Sequence, residues 1–148
     1  MRKFQFNLEK ILELRKYDEQ QWELKLGEAT GRCNALHRDI AACKASRKQI
    51  FEQRHLDTGD MRMFLYAENY THRMDQEITE LRAELEKAEA ERQKLQEKFL
   101  EASKKRKILD KLKERQQQAY YKHEQKQEQK ALDEISSARY ARELEDAG

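Results

Sequence analysis

Two heptad seams in a chain without proline constrain the fold of this sequence more than any other feature. Alternating steps of four and three from Leu8 to Arg54 pass through fourteen positions, of which ten are apolar. The same steps from Phe64 to Leu109 pass through another fourteen positions, of which eleven are apolar. Most residues between them are charged or Gln. Heptads sustained over this length are typical of coiled-coil helices.

The break between the seams predicts a turn. It reads Asp57-Thr58-Gly59-Asp60, and Gly59 is the only glycine between the seams. Glycine accepts the positive φ that ends a helix, and an aspartate can cap the next one. Two seams joined by a short loop predict an antiparallel hairpin, because closing a short loop costs little entropy. Dimerisation of two chains through either seam is the alternative.

We therefore expect an all-α fold, a long two-helix antiparallel coiled-coil hairpin. Helix one is expected at about 7–56, the turn at 57–60 and helix two at about 61–143, in a single coiled-coil domain of residues 1–148. The composition agrees, because 41% of the residues are charged and 37% are hydrophobic, which is too little apolar surface for a compact globule. No run of 18 apolar residues predicts a membrane span, and no signal peptide is recognisable.

The two helices are expected to differ in length. With the turn centred near residue 58, residue i would face about residue 117 minus i, so that Leu8 would face Leu109. The chain after about Leu112 would then overhang without a partner in its own chain. A sparsely apolar helix of this kind is marginal alone in water, so we expect it either to be frayed or to bind a partner.

No pattern of residues predicts catalysis or metal binding. There is no Gly-rich phosphate loop, no nucleophile elbow and no acid/base pair. Cys33 and Cys43 lie ten residues apart on a seam, a spacing that fits buried apolar positions rather than a redox or zinc site. His123-Glu124 begins like a zinc-protease motif, but Gln127 stands where the second histidine would be. We predict a protein that is not an enzyme and needs no cofactor.

Two surface features suggest binding. From Lys98 to Lys130 the chain has eleven basic and five acidic residues, which fits a solvated helix face, a docking surface for an acidic protein or, least well, a nucleic-acid site. Tyr66 and Tyr70 lie in the densest aromatic and apolar cluster of the sequence, just after the turn. Such a cluster either packs locally or marks a binding site.

Both ends of the chain resemble one family. The opening Phe4-x-Phe6-x-Leu8-x-x-Ile11-Leu12-x-x-Arg15 is similar to the start of the FliJ family of bacterial flagellar export proteins. Residues 107–116 (KILDKLKERQ), followed by 128–134 (EQKALDE), resemble that family's second conserved block. The chain length and the hairpin position also fit, so the resemblance covers nearly the whole chain.

The resemblance implies a soluble component of the flagellar type III export apparatus, a coiled coil similar to the stalk of rotary ATPases. The implied partners are the hexameric export ATPase, the export gate protein FlhA and export chaperones, with no nucleic acid. The implied location is the cytoplasm, at the inner face of the membrane, without insertion into it. The remaining alternatives are a generic coiled-coil scaffold and, less favoured, a basic helix that binds nucleic acid.

The resemblance also implies site residues. The residues implied to contact the export ATPase lie near both ends of the chain: Phe4, Phe6, Leu8, Arg15, Arg115, Gln116, Gln129, Lys130, Asp133 and Glu134. The residues implied to contact the export gate lie early in helix two: Tyr66, Tyr70 and Met74.

Overall fold

The chain consists of two long helices. The computed structural model describes residues 2–56 and 59–147, in which α1 spans Glu9–Leu56 and α2 spans Met61–Ala147. No strand occurs among these residues, so the predicted all-α fold is confirmed. Helix α2 continues past the expected end near residue 143 because the sequence contains no proline or glycine there before Gly148.

The contacts divide the chain into two units. The terminal unit combines Met1–Tyr17 with Ser103–Gly148, and the middle unit is Asp18–Ala102. Within each unit a stretch of α1 pairs with a stretch of α2, and the order of the paired residues shows that the helices run antiparallel.

The heptad seams are buried as predicted. Every seam residue is buried or half-buried except Arg47 and Phe64, and Leu12 is fully buried. In the middle unit, a core cluster is formed by one set of seam residues: Cys33, Leu36 and Ala88, with Leu81 and Leu85 packed against them. The two seams therefore cover each other within one chain, which accounts for their burial without a dimer.

The predicted helix cap forms after the break. Gly59 has a φ of +148°, a conformation that residues with a Cβ rarely adopt. The Asp60 side chain accepts a hydrogen bond from the Arg62 backbone N–H at 3.0 Å, and the Asp60 carbonyl accepts one from Phe64 at 3.1 Å. Asp57 and Thr58, the other two residues of the predicted turn, lie outside the described residues.

The expected register is wrong by about five residues. Among the described residues, three ion pairs and one histidine–carboxylate contact join α1 to α2: Arg47–Asp75, Arg54–Glu68, Glu9–Lys113 and His37–Glu89. The residue numbers of the three ion pairs each sum to 122, and those of the histidine contact sum to 126, instead of the expected 117.

The cause lies at the start of α2. Residues 61–66 are all exposed, and Ala67 is the first buried residue of this helix. Burial against α1 therefore begins further into α2 than a turn centred near residue 58 would allow, although the Arg54 guanidinium already lies 4.3 Å from the centroid of the Phe64 ring. As a result, Arg47 pairs with Asp75 at 2.9 Å, although the sequence placed it near Tyr70.

Glycine substitutions test the helix and the turn separately. An added Cβ at Gly31 would meet no atom within 4 Å, so Gly31→Ala should raise the free energy of unfolding by about 0.5–1 kcal/mol through its higher helix propensity. Gly59→Ala should lower the free energy of unfolding, because φ at this position is +148°. Urea titration followed by circular dichroism at 222 nm measures both. A Gly59→Ala variant as stable as the parent would contradict the turn conformation.

Thiol crosslinking tests the register. In a Cys33→Ala, Cys43→Ser background, a short bis-maleimide should join Glu9→Cys to Lys113→Cys quickly, because Glu9 and Lys113 contact each other at 2.8 Å. The control pair Glu9→Cys and Ile108→Cys, which matches the register near 117, should react more slowly. Faster coupling of the control pair, read by mass spectrometry, would restore the original expectation.

Candidate partner-binding surfaces

Residues 2–8, the N-terminal segment, precede α1 and are held on α2. The ring centroid of Phe4 lies 5.5 Å from that of Tyr120, and the Tyr120 hydroxyl donates a hydrogen bond to the Arg2 carbonyl at 2.7 Å. Phe6 is only 7% exposed. The backbone N–H of Glu9 donates to the Phe6 carbonyl at 3.2 Å, which closes the turn into α1. A non-helical segment thus gains a fixed place in the terminal unit.

The overhang of α2 begins later than expected. The sequence left everything after about Leu112 without a partner in its own chain, but Lys113 pairs with Glu9 and Tyr120 contacts Phe4. This part of the expectation is wrong, because the register is shifted and the N-terminal segment extends the pairing beyond the start of α1. Residues 125–147, which we call the free C-terminal stretch, are helical and exposed throughout. Their exposed large apolar residues are Leu132, Ile135, Tyr140 and Leu144.

The residues implied to bind the ATPase fall into two groups. Those before residue 16 are buried or half-buried: Phe4, Phe6, Leu8 and Arg15. Those on α2 are all exposed: Arg115, Gln116, Gln129, Lys130, Asp133 and Glu134. The structure places Phe4 of the first group against Tyr120 of α2, whereas the last four residues of the second group lie on the free C-terminal stretch. Buried Phe6 can affect a partner only through the position of the segment.

Tyr120 is the residue of this surface that the sequence reasoning missed. Partial burial of its hydroxyl, and then the Glu124 carboxylate, raise the pKa of Tyr120 above its ordinary value, while nearby Arg2 opposes the shift. The proton is therefore retained, and the hydroxyl can serve as a hydrogen-bond donor. The sequence does contain a signal for this contact. Phe4 and Phe6 precede the seam of α1, so their rings need apolar cover from another part of the chain.

The residues implied to bind the export gate, Tyr66, Tyr70 and Met74, lie in the middle unit, and we call this surface the tyrosine patch. The rings of Tyr66 and Tyr70 are stacked with centroids 6.3 Å apart and planes 26° apart. The Arg73 guanidinium lies 5.7 Å from the Tyr70 ring. Tyr66 is exposed, while Tyr70 and Met74 are half-buried. The patch continues into exposed apolar residues at the start of α2: Met61, Met63, Phe64 and Leu65.

The cysteines and the basic cluster offer no reactive site. Cys33 is buried in the core, as predicted. Burial, and then the carboxylates of Glu77 and Asp39, raise the pKa of the Cys43 thiol, which keeps it protonated and poorly nucleophilic at neutral pH. In the basic stretch from Lys98 to Lys130, Arg106 pairs with Asp110 along α2.

The comparison with protein families decides the identity. The family described as Flagellar FliJ protein matches residues 4–145 of the 148. The chain belongs to the FliJ family. This confirms the resemblance, and membership of the family makes the protein a component of the flagellar export apparatus. No curated protein and no solved structure matched the chain. Within 2–56 and 59–147, neither helix carries an apolar stretch long enough to cross a membrane.

Tyr120→Phe tests how the N-terminal segment is held. The variant keeps the ring against Phe4 but loses the hydrogen bond to Arg2, so amide hydrogen exchange of residues 4–8 should become faster. Because the pKa is raised, this bond is intact at pH values below the ordinary tyrosine pKa of about 10. It is lost as the pH rises through the higher pKa of the folded protein.

Absorbance at 295 nm measures the titration. The wild-type signal minus that of Tyr120→Phe isolates one phenol, and its midpoint should exceed 10.0. A midpoint below this value, or unchanged exchange in the variant, would contradict the hydrogen bond. Tyr140→Phe, which alters an exposed tyrosine of the free C-terminal stretch, is the matched control and should leave exchange of residues 4–8 unchanged.

Proposed function

We propose that this FliJ-family protein connects the hexameric flagellar export ATPase to the export gate protein FlhA and assists export chaperones. The terminal unit binds the ATPase, and the tyrosine patch of the middle unit binds the gate. The protein acts in the cytoplasm at the inner face of the membrane, by binding alone.

The free C-terminal stretch is the observation that carries this proposal. It continues α2 from residue 125 to 147 with every side chain exposed, including Leu132, Ile135 and Leu144. A helix without tertiary contacts gains little stability from propensity alone. A surface that covers its apolar side chains would stabilise it, and a pore lined by several ATPase subunits is a surface of this kind.

Charge supports a contact along the part of α2 that leads into this stretch. The eleven basic and five acidic residues from Lys98 to Lys130 give this part of α2 an excess of six positive charges. Positive potential of this size raises the rate of association with an acidic protein surface. The predicted contacts Arg115 and Lys130 are exposed members of this set.

The tyrosine patch supports a second partner. Tyr66 and Tyr70 form an exposed to half-buried stack, and tyrosine is enriched at protein interfaces because one ring offers both apolar area and a hydroxyl. The adjacent residues Met61 and Leu65 extend the apolar area. Because they are exposed in the hairpin, their apolar surface is available to a partner.

An assay with the cognate ATPase tests the first contact. The purified protein should raise the rate of ATP hydrolysis and favour ring assembly. Leu132→Glu/Ile135→Glu should weaken both effects at least tenfold by placing charge on the free C-terminal stretch. Leu24→Glu changes an exposed leucine of the middle unit and should act like the parent. No effect of the parent protein on hydrolysis or assembly would overturn the proposal.

A separate assay tests the gate contact. Tyr66→Ala/Tyr70→Ala should abolish binding to the cytoplasmic part of FlhA, measured by isothermal titration calorimetry, and leave ATPase stimulation intact. Loss of both activities in this variant would argue against separate binding surfaces.

A further inference from the structure

A groove with a basic character runs between α1 and α2 in the middle unit. We call this surface the basic groove. Residues of both helices line it: Lys44, Arg47, Lys48, Phe51, Arg54, Glu68 and Thr71. Tyr66 does not line it but borders the neighbouring apolar hollow with Met63 and Phe64. The groove therefore adjoins the tyrosine patch proposed for the gate at Arg54, which borders both, but neither Tyr66 nor Tyr70 lines it.

The α1 side of the groove presents one cationic stripe that ends in an aromatic ring. Lys44 and Lys48 are four residues apart and Phe51 follows three residues later, so the three share a helix face. Both lysines are exposed, and Phe51 is 47% exposed. No acidic residue lies between Asp39 and Glu52. Lys44 therefore has no acidic residue one turn away on α1, whereas Lys48 has Glu52 four residues further along.

The α2 side holds the arginines in place. Arg47 pairs with Asp75 at 2.9 Å through Nη1, and Arg54 pairs with Glu68 through Nη1. The Arg54 guanidinium also lies 5.7 Å from the Phe51 ring. A guanidinium has five N–H donors, and these pairs each use only one nitrogen. The groove walls therefore still present positively charged donors at fixed positions.

We propose that the basic groove binds an acidic amphipathic helix of another protein. Two carboxylates one turn apart on that helix would face Lys44 and Lys48, which have the same spacing. An apolar side chain three residues further along would cover the exposed face of Phe51. This interaction is additional to the ATPase and gate contacts and does not depend on them.

The carboxylates in the groove favour a helix over other anions. Glu68 lines the groove and Asp75 lies beside Arg47, so a continuous polyanion such as nucleic acid, or a dense anionic lipid surface, would meet negative charge there. A helix carries its carboxylates at discrete positions and can avoid both.

A designed peptide is the probe for this site. A fluorescein-labelled, alanine-rich helix with the pattern Leu-x-x-Glu-x-x-x-Glu-x-x-Leu presents the required groups in either orientation. Fluorescence anisotropy at 50 mM salt should show binding to the full-length protein that weakens as salt is raised, because screening reduces charge attraction. A peptide of the same composition, with its glutamates moved to the opposite helix face, should bind at least tenfold more weakly.

Variants of the protein distinguish binding in the groove from attraction to the overall charge of the protein. Lys44→Glu/Lys48→Glu should reduce peptide affinity at least tenfold, and Phe51→Ala should reduce the discrimination against a Leu→Ser peptide. Lys94→Glu/Lys98→Glu places the same charge change on two exposed lysines of α2 with the same spacing and should leave affinity unchanged. Circular dichroism confirms that each variant is folded.

Three results would overturn the proposal. The first is equal binding of the patterned and rearranged peptides, and the second is an equal loss of affinity in the Lys94→Glu/Lys98→Glu control. The third is tighter binding of oligothymidine or of phosphatidylglycerol vesicles than of the patterned peptide, with loss of that binding in Lys44→Glu/Lys48→Glu, which would assign the groove to those ligands.

Discussion

Two helices that pack only on each other can bury one stripe apiece, so the rest of this structure depends on the register in which the stripes meet. The core is narrow, with Leu12 the only large side chain among the described residues that is fully buried. The exposed ion pairs at the edges contribute little stability, but each marks the same alignment of α1 with α2. That alignment leaves residues 61–66 and 125–147 exposed, and these stretches contribute to the proposed gate and ATPase surfaces.

The sequence predicted what is set locally. Seam spacing identified the buried face of each helix, since heptads depend only on the geometry of one helix. Asp60 was predicted to cap α2 because an aspartate after a helix break is a common N-cap. The register could not be read in this way, because it depends on which residue of α2 first meets α1. Phe64 has seam spacing and is exposed, whereas Ala67 begins the buried stripe. Counting from the turn therefore placed Arg47 near Tyr70, five residues before its actual partner Asp75.

The binding surfaces were predictable to a smaller extent. Family resemblance supplied the implied contacts near both termini, but it could not show that Phe6 is buried or that Tyr120 holds the segment. These facts depend on residues 118 positions apart in sequence. The lysines and phenylalanine of the basic groove can be recognised from their spacing on α1. Glu68, which shapes the choice of ligand, reaches the groove only because the second helix folds back.

The attachment of the N-terminal segment also orders events during synthesis. Arg2 leaves the ribosome early, yet its hydrogen-bond partner Tyr120 is made 118 residues later. Middle-unit pairs such as Arg54–Glu68, separated by 14 positions, can form long before then, because contacts close in sequence form first. Phe4 is therefore without its native cover until Tyr120 has been synthesised. The N-terminal segment reaches its final position only after the rest of the hairpin has been made.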